Sequence, residues 1–257
     1  MTISLAKKFI DEYNQYTIDE NNSGERSYSV FHPSSWAICI RKTALQYLKY
    51  PVASITDAKL LRIFSNGRSF EDRVVKFLVN KDILYGKWKC IGCETVYGSD
   101  EDLGIKNPKQ CDKCGCKEFE YLEITLESKE YNFKGNCDAV VALDDDGSKC
   151  IFELKTINTN GFSGYLMEPK FEHYVQLSIY LWLSKLPKGI IIYENKNDQS
   201  LKVFNVTINY ELIEQIKKQS KQLQEVLKLG NIPDVPMDKT SSCFNCRYCE
   251  YSKNCWR

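Results

Sequence analysis

The chain has 257 residues, 43% of them hydrophobic and 12% aromatic, enough for one large domain or one domain with a smaller insert and too apolar for an extended disordered chain. Lys plus Arg number 35 against 34 Asp plus Glu, a net charge of +1, which excludes a globally basic surface and leaves any nucleic-acid site to a local patch. The start lacks the apolar core of a signal peptide and no stretch reaches the length of a membrane span, so the chain reads as soluble and cytoplasmic. In that compartment twelve cysteines are metal ligands before they are disulfides.

Residues 2–20 alternate charged and apolar side chains at helical spacing and predict a helix, ended by the polar "ENNSGERS". In "FHPSSWAICIRKTALQYLKY", Pro33 with Ser34 or Ser35 as cap predicts a helix start, and three-four apolar spacing carries it to about Tyr50. A further helix is predicted from Asp57 to Val79. Gly67 within it costs about 1 kcal/mol of helical preference relative to Ala and marks a close approach or a break. From about Tyr85 to Tyr121 the texture changes to Gly, Cys and charge, an insert with its own logic. The period then switches to two, so "YLEITLESKEYNFKG", "CDAVVAL" and "KCIFELKTI" predict strands, with "LDDDGSK" as the turn between the last two. An amphipathic helix from about Lys170 to Ser184 follows, then a strand pair, "GIIIYEN" and "LKVFNVTI". A charged helix from about Tyr210 to Leu229 leads through "GNIPDVPMDK" into a cysteine tail, and no internal repeat is present.

In the insert, Cys90 and Cys93 form one C-x2-C knuckle and Cys111 and Cys114 another, at zinc-ribbon spacing. Four soft thiolates set tetrahedrally by two tight turns, helped by Gly92 and Gly115, suit a closed structural Zn2+. Cys116 is a spare. Such a ribbon either contacts nucleic acid or protein or serves as a structural flap.

"GNCDAVVALDDDGSKCIFELKT" is the stretch richest in chemistry. Glu153 and Lys155, two apart on a strand, share one face, and the turn after "CDAVVAL" brings Asp138 beside them. Carboxylates of this kind hold Mg2+ or Mn2+, the metal activates water, and the lysine positions that water or stabilises phosphorane charge. Exposed strands alternate such charges without any function. Here the apolar residues around Glu153 favour a lined cleft.

With these residues in view, "G-N-C-D-A-V-V" followed by "F-E-L-K-T" resembles two motifs of the PD-(D/E)XK nucleases in their RecB-like branch. The branch also carries a helix with Q-x-x-x-Y, matched by Gln176 and Tyr180 in "QLSIY". Its upstream G-x-x-x-H is matched by "GRSFE", Gly67 to Glu71, with Glu in place of His. The resemblance covers roughly residues 30–84 and 120–257. It implies an α/β fold, a restriction-endonuclease-like mixed central sheet flanked by helices, with the zinc ribbon inserted. The implied segments are 1–84, the N-terminal helical part; 85–120, the ribbon; 121–208, the nuclease core; and 209–257, the C-terminal helix and cysteine tail.

The same resemblance implies a metal-dependent DNA nuclease, acting as an exonuclease on single-stranded ends. Glu71, Asp138 and Glu153 would bind Mg2+ or Mn2+, Lys155 would assist the attacking water, and Gln176 and Tyr180 would orient the strand. Arg41, Lys42, Arg247 and Lys253 would line its path or are solvated surface charges. His32 and His173 read as local histidines and Cys137 and Cys150 as core residues.

Members of the AddB and CRISPR-adaptation type hold a [4Fe–4S] cluster through one N-terminal cysteine and a C-terminal C-x2-C-x5-C. Cys246, Cys249 and Cys255 reproduce the triplet, and Cys39 would be the distant fourth ligand. Two rivals stay open: Cys243 closing a site with the other tail cysteines, and a Zn2+ in place of the cluster. Implied partners are DNA and a recombination, replication or CRISPR-adaptation protein, in a phage, plasmid or CRISPR setting, with no membrane. The different-class alternative is a non-catalytic DNA-binding or assembly module on the same fold.

Overall fold

The computed structural model describes residues 4–21, 29–52, 57–143, 147–162 and 166–256. The expected polar break "ENNSGERS" and the aspartates of "LDDDGSK" fall mostly outside them.

Helix α1 spans Leu5–Asn21. The single helix expected from Pro33 to about Tyr50 is two, α2 (Pro33–Trp36) and α3 (Ile40–Tyr47), because Cys39 is extended at φ −167°, ψ 118°. The break lets two neighbours face different ways. Trp36 packs edge-on to Phe133 at 4.8 Å between ring centroids, while Arg41 turns towards the C-terminal segment. Helix α4 (Ala58–Asn80) starts where Asp57 accepts from the backbone N–H groups of Lys59 and Leu60, capping two of the donors a helix start leaves free. It runs unbroken through Gly67, where an added Cβ would lie 3.5 Å from Thr156 Oγ1.

Strand β1 (Leu84–Tyr85) belongs to the core, whereas β2 (Lys87–Cys90), β3 (Val96–Tyr97) and β4 (Phe119–Leu122) form a small sheet of the insert, ordered β3-β2-β4. "YLEITLESKEYNFKG" is not one strand. It is the end of β4 and then a hairpin, β5 (Ile124–Ser128) and β6 (Phe133–Cys137). Strands β7 (Ala139–Ala142) and β8 (Lys149–Ile157) pair antiparallel. Helix α5 (Thr159–Phe162) and helix α6 (Phe171–Ser184) precede β9 (Lys188–Asn195) and β10 (Leu201–Thr207). The central sheet is mixed, ordered β1-β7-β8-β9-β10, with β8 and β9 parallel. Helix α6 is the crossover that a parallel pair requires. Helix α7 (Tyr210–Lys228) and two single turns, α8 (Phe244–Arg247) and α9 (Ser252–Cys255), complete the chain.

Helices cover both faces of β8, so its side chains are apolar on both. Ile151 and Ile157 face α6 and pack with Leu177, Tyr180 and Leu181. Phe152 and Leu154 face α4 and pack with Phe70 and Leu78. By the same alternation Glu153 and Lys155 point to the α6 side. Among the described residues no helix is long and apolar enough to cross a membrane.

Candidate functional site

Asp138 occupies the single residue between β6 and β7, where the chain leaves the hairpin and enters the central sheet. Its Oδ2 accepts the Leu154 N–H at 2.6 Å, which fixes the carboxylate against β8. The β7–β8 register pairs Ala139 with Phe152, and one step further sets Asp138 opposite Glu153. The β5–β6 register pairs Ile124 with Cys137, and one step further sets Glu123 opposite Asp138. Glu123 and Asp138 therefore lie one residue beyond the ends of these ladders, gathered near Glu153, and Asp138 acts electrostatically on both glutamates.

Glu153 has no exposed surface, and its Oε2 receives no hydrogen bond. The Lys155 ammonium lies against Oε1 as an ion pair. Burial, then repulsion from Asp138, pushes the Glu153 carboxyl up to about 8. Glu71 reaches the group from α4. Burial and then Asp138 push its pKa up to about 7. Burial also raises Asp138, against the pull of Lys155 and the Leu154 N–H. Lys155 is held protonated: burial works against its charge, but Glu153, Asp138 and Glu71 together outweigh it. The expected four residues, Glu71, Asp138, Glu153 and Lys155, are thus one electrostatic unit. A buried carboxylate with one oxygen left bare, crowded by two others, fits a hard divalent cation.

Glu123 escaped the sequence reading. Burial and then Asp138 raise its carboxyl, so it belongs to the same unit. The signal was available in the pairing register, but only once "ESKEYN" is placed as a hairpin turn.

Gln176 and Tyr180 share the inner face of α6 and are 5% and 3% exposed. Gln176 hydrogen-bonds Tyr180, whose ring stands in the field of Glu153 and Asp138. A Cβ at Gly135 would come within 2.9 Å of the Tyr180 hydroxyl, so glycine there leaves it room. The pair backs the carboxylates from behind instead of reaching a strand in solvent. His173, one turn earlier, pairs Nδ1 with the Tyr193 hydroxyl at 2.7 Å, and that hydroxyl accepts the Lys170 N–H. Burial, with Lys155 and Lys170 nearby, pushes His173 down to about 3 and keeps it neutral. His32 is the N-cap residue of α2.

In the insert, the Sγ atoms of Cys90, Cys93, Cys111 and Cys114 all lie within 4.8 Å of one another, with Cys90–Cys114 and Cys93–Cys111 at 3.5 Å. Tetrahedral thiolates about 2.3 Å from one Zn2+ stand roughly 3.8 Å apart, so the group fits zinc. Each knuckle closes through a backbone bond, Glu94 N–H to Cys90 O and Gly115 N–H to Cys111 O. Cys116 stands outside the four, its Sγ accepting the Glu118 N–H.

The tail cysteines are gathered differently. Cys39, Cys243 and Cys249 lie within electrostatic reach of Cys246, and Cys255 within reach of Cys249. Among the described residues they do not form a zinc-tight group of four. Soft thiolates gathered in this way suit a metal centre held by cysteine. Arg41 and Lys42, expected on a strand's path, are instead tied to this segment. Arg41 donates to the carbonyls of Pro233 and Asn254, and Lys42 pairs with Glu250 at 3.0 Å. Arg247 and Lys253 are exposed.

The family model for the PD-(D/E)XK nuclease superfamily matches residues 68–256. The CRISPR-associated exonuclease Cas4 of Saccharolobus solfataricus is 30% identical over 135 residues, 52% of this chain and 56% of that protein. The chain thus spans about half the length of the curated relative it matches. The crystal structure of SSO0001 superposes with a TM-score of 0.52 at 16% identity, over 98% of both chains, in agreement with the fold. An alkaline exonuclease (LHK-Exo) from Laribacter hongkongensis gives 0.46 at 11% identity, over 86% of this chain and 93% of that one. The match runs from α4 to the tail and takes in Glu71, the other carboxylates and Lys155, and on it the chain belongs to the PD-(D/E)XK nuclease superfamily.

Proposed function

We propose that the protein is a divalent-metal-dependent deoxyribonuclease, an exonuclease that hydrolyses phosphodiester bonds at single-stranded DNA ends. The observation that carries this reading is Glu153, fully buried, paired through Oε1 with Lys155, left with a bare Oε2 and crowded by Asp138. Glu71, Asp138 and Glu153 would hold Mg2+ or Mn2+. When bound, the ion supplies a Lewis acid to the phosphoryl oxygens and lowers the pKa of the attacking water. Lys155, kept protonated and 22% exposed, donates to the attacking oxygen and offsets charge growing on the phosphorane. Gln176 and Tyr180 hold the carboxylates from α6, and neutral His173 adds no charge that would compete with the metal.

The insert cysteines would carry Zn2+ as a structural centre. Cys246, Cys249 and Cys255 with Cys39 would carry a [4Fe–4S] cluster that staples the chain ends. Similarity to Cas4 supports a CRISPR-adaptation protein as partner, and the site chemistry supports DNA as substrate. Residues 1–84, 85–120, 121–208 and 209–257 serve as helical part, ribbon, core and tail.

The test uses 5′- and 3′-labelled single- and double-stranded oligonucleotides with Mg2+ or Mn2+. Glu153→Gln and Lys155→Ala should each lose at least about 10²-fold in rate while keeping the wild-type melting temperature within a few degrees. Undiminished cleavage by both would sink the assignment. Anaerobically purified protein should hold about four irons per chain. Cys39→Ala should lose them and Cys243→Ala should keep them.

A further inference from the structure

Helix α4 leaves the core by one face. Phe64, Glu71 and Leu78 follow one another at seven-residue steps, two helical turns each, and so share that face. Leu78 is fully buried against the sheet, Glu71 is half-buried beside the carboxylates, and Phe64 is 47% exposed and joins no core cluster. Between Phe64 and Glu71 lies Gly67, where an added Cβ would stand 3.5 Å from Thr156 Oγ1. Thr156 follows Lys155 and is one residue from the end of β8. The face beyond Gly67 therefore runs past the sheet with Phe64 uncovered, and the absent side chain leaves an open floor from the ring to Glu71.

A cation stands at the far end of this floor. Lys196, just after β9, donates from Nζ to the carbonyl of Ile63, the residue before Phe64, at 3.1 Å. It pairs with no carboxylate among the described residues, although burial works against its charge. Arg68 is exposed next to Gly67, one turn before Glu71. An uncovered ring flanked by cations and joined to the reacting centre suits a single DNA strand, whose bases stack on aromatic faces and whose phosphates follow positive charge. The apolar area of a partner protein would find one ring here and a lone ammonium to desolvate. At 1.5 Å per residue Phe64 is about 10.5 Å from Glu71 along the axis, about three nucleotides of a stacked strand at 3.4 Å each and fewer of an extended one.

We propose that Phe64 is the platform on which a base of the substrate strand stacks, with Lys196 on a flanking phosphate and Gly67 keeping the way to the reacting centre open. The strand then runs along α4 and over the end of β8. The inference deepens the nuclease reading and rests on it for the cleavage that follows, but not for the binding.

The test measures binding in the Glu153→Gln background, where DNA is not consumed, with oligothymidines carrying one 2-aminopurine at successive positions. With Phe64 present, a probe within about three nucleotides of one end should be quenched by stacking. Phe64→Ala should lose that quenching and bind about 5–100-fold more weakly, whereas Phe64→Tyr should keep both. Lys196→Met should lower the slope of log K against log salt by about 0.7, the share of one single-strand phosphate, which loss of its bond to Ile63 alone would not do. Gly67→Ala gains helical preference and meets only ordinary contact, so it should melt no lower than its parent and yet lose affinity for the strand. It carries the test if Phe64→Ala does not fold. Unchanged quenching and affinity in Phe64→Ala, or undiminished binding by Gly67→Ala, overturns the proposal, as does Phe64-dependent binding of a blunt duplex in preference to the single strand. The expected binding pattern in a protein whose wild type cleaves no DNA would refute the nuclease reading and leave this one standing. Cleavage by wild type with no variant weakened in binding would do the reverse.

Discussion

The carboxylates set how the protein responds to pH when no divalent cation is bound. Glu153 is pushed up to about 8 and Glu71 to about 7, against 4.5 for an ordinary glutamate. Over that span the native chain holds protons that the unfolded chain has released, so raising the pH destabilises it. His173 acts in the opposite sense, because its folded pKa of about 3 lies below the ordinary 6.5, but its contribution is complete above pH 6.5. With the insert thiols held by Zn2+, so that the lowered Cys111 thiol does not titrate, the glutamates decide the sign between roughly pH 6.5 and 8. The melting temperature of cation-depleted protein should fall across that window and recover on adding Mg2+ or Mn2+, with metal affinity rising as pH rises. Glu153→Gln should flatten the slope. A melting temperature that climbs from pH 6.5 to 8 without metal would mean that these carboxylates ionise freely. At this scale Asp138, Glu153 and Lys155 were readable because strand alternation and motif order place them. Glu123 was not, because its role exists only through a partner on another strand.

Placement of Glu71 depends on how α4 sits against the sheet. Two residues beyond it, Arg73 donates to both oxygens of Glu194 on β9, at 2.6 and 2.7 Å. The guanidinium is 55% exposed but the glutamate side chain only 11%, so losing the arginine leaves a buried charge unpaired. Arg73→Ala should cost about 1–3 kcal/mol and weaken Mn2+ binding through Glu71. Arg73→Lys should recover only part, since an ammonium cannot reproduce the two-pronged contact. Adding Glu194→Gln to Arg73→Ala should restore stability but not metal affinity, because the helix still lacks its anchor. Denaturant melts and Mn2+ titrations of the three variants check this, and unchanged metal affinity in Arg73→Ala would remove the positioning role. Element boundaries were legible where local chemistry marks them, as at the Asp57 cap of α4. They were harder to read elsewhere: the β5–β6 turn places Asn132, a turn former, at φ 58°, but it follows charged residues whose alternation reads on as strand. The break at Cys39 is likewise unmarked by the helical spacing around it.

At the scale of the molecule, the two cysteine groups are tied into the fold differently. The insert is bound to the core beside it: Lys149 donates to the Asp102 carbonyl at 2.9 Å and lies 4.4 Å from the Tyr85 ring centroid, and the Thr125 N–H donates to Asp100. The tail binds across the whole chain, with Arg41 and Asn254 separated by 213 residues. Closing so long a loop restricts the unfolded chain far more than a local tie does. Sequence spacing marked the insert knuckles, while the family resemblance supplied the tail triplet with Cys39 and put Arg41 and Lys42 on a strand's path. Only the folded chain shows them gripping the tail. The two centres should therefore fail separately. Arg41→Met removes charged hydrogen bonds worth about 1.5–3 kcal/mol, so the tail should open roughly 10–100-fold more often, and trypsin should cut at the exposed Arg247 and Lys253 faster by a similar factor. Iron should be lost with the tail while one zinc per chain is kept. Cys90→Ser with Cys114→Ser should lose the zinc and keep both the iron and the protected tail. Metal analysis and timed trypsin digestion read both outcomes. Simultaneous loss of the two metals in either variant would show one cooperative unit, and the clasp would then not be a separate device.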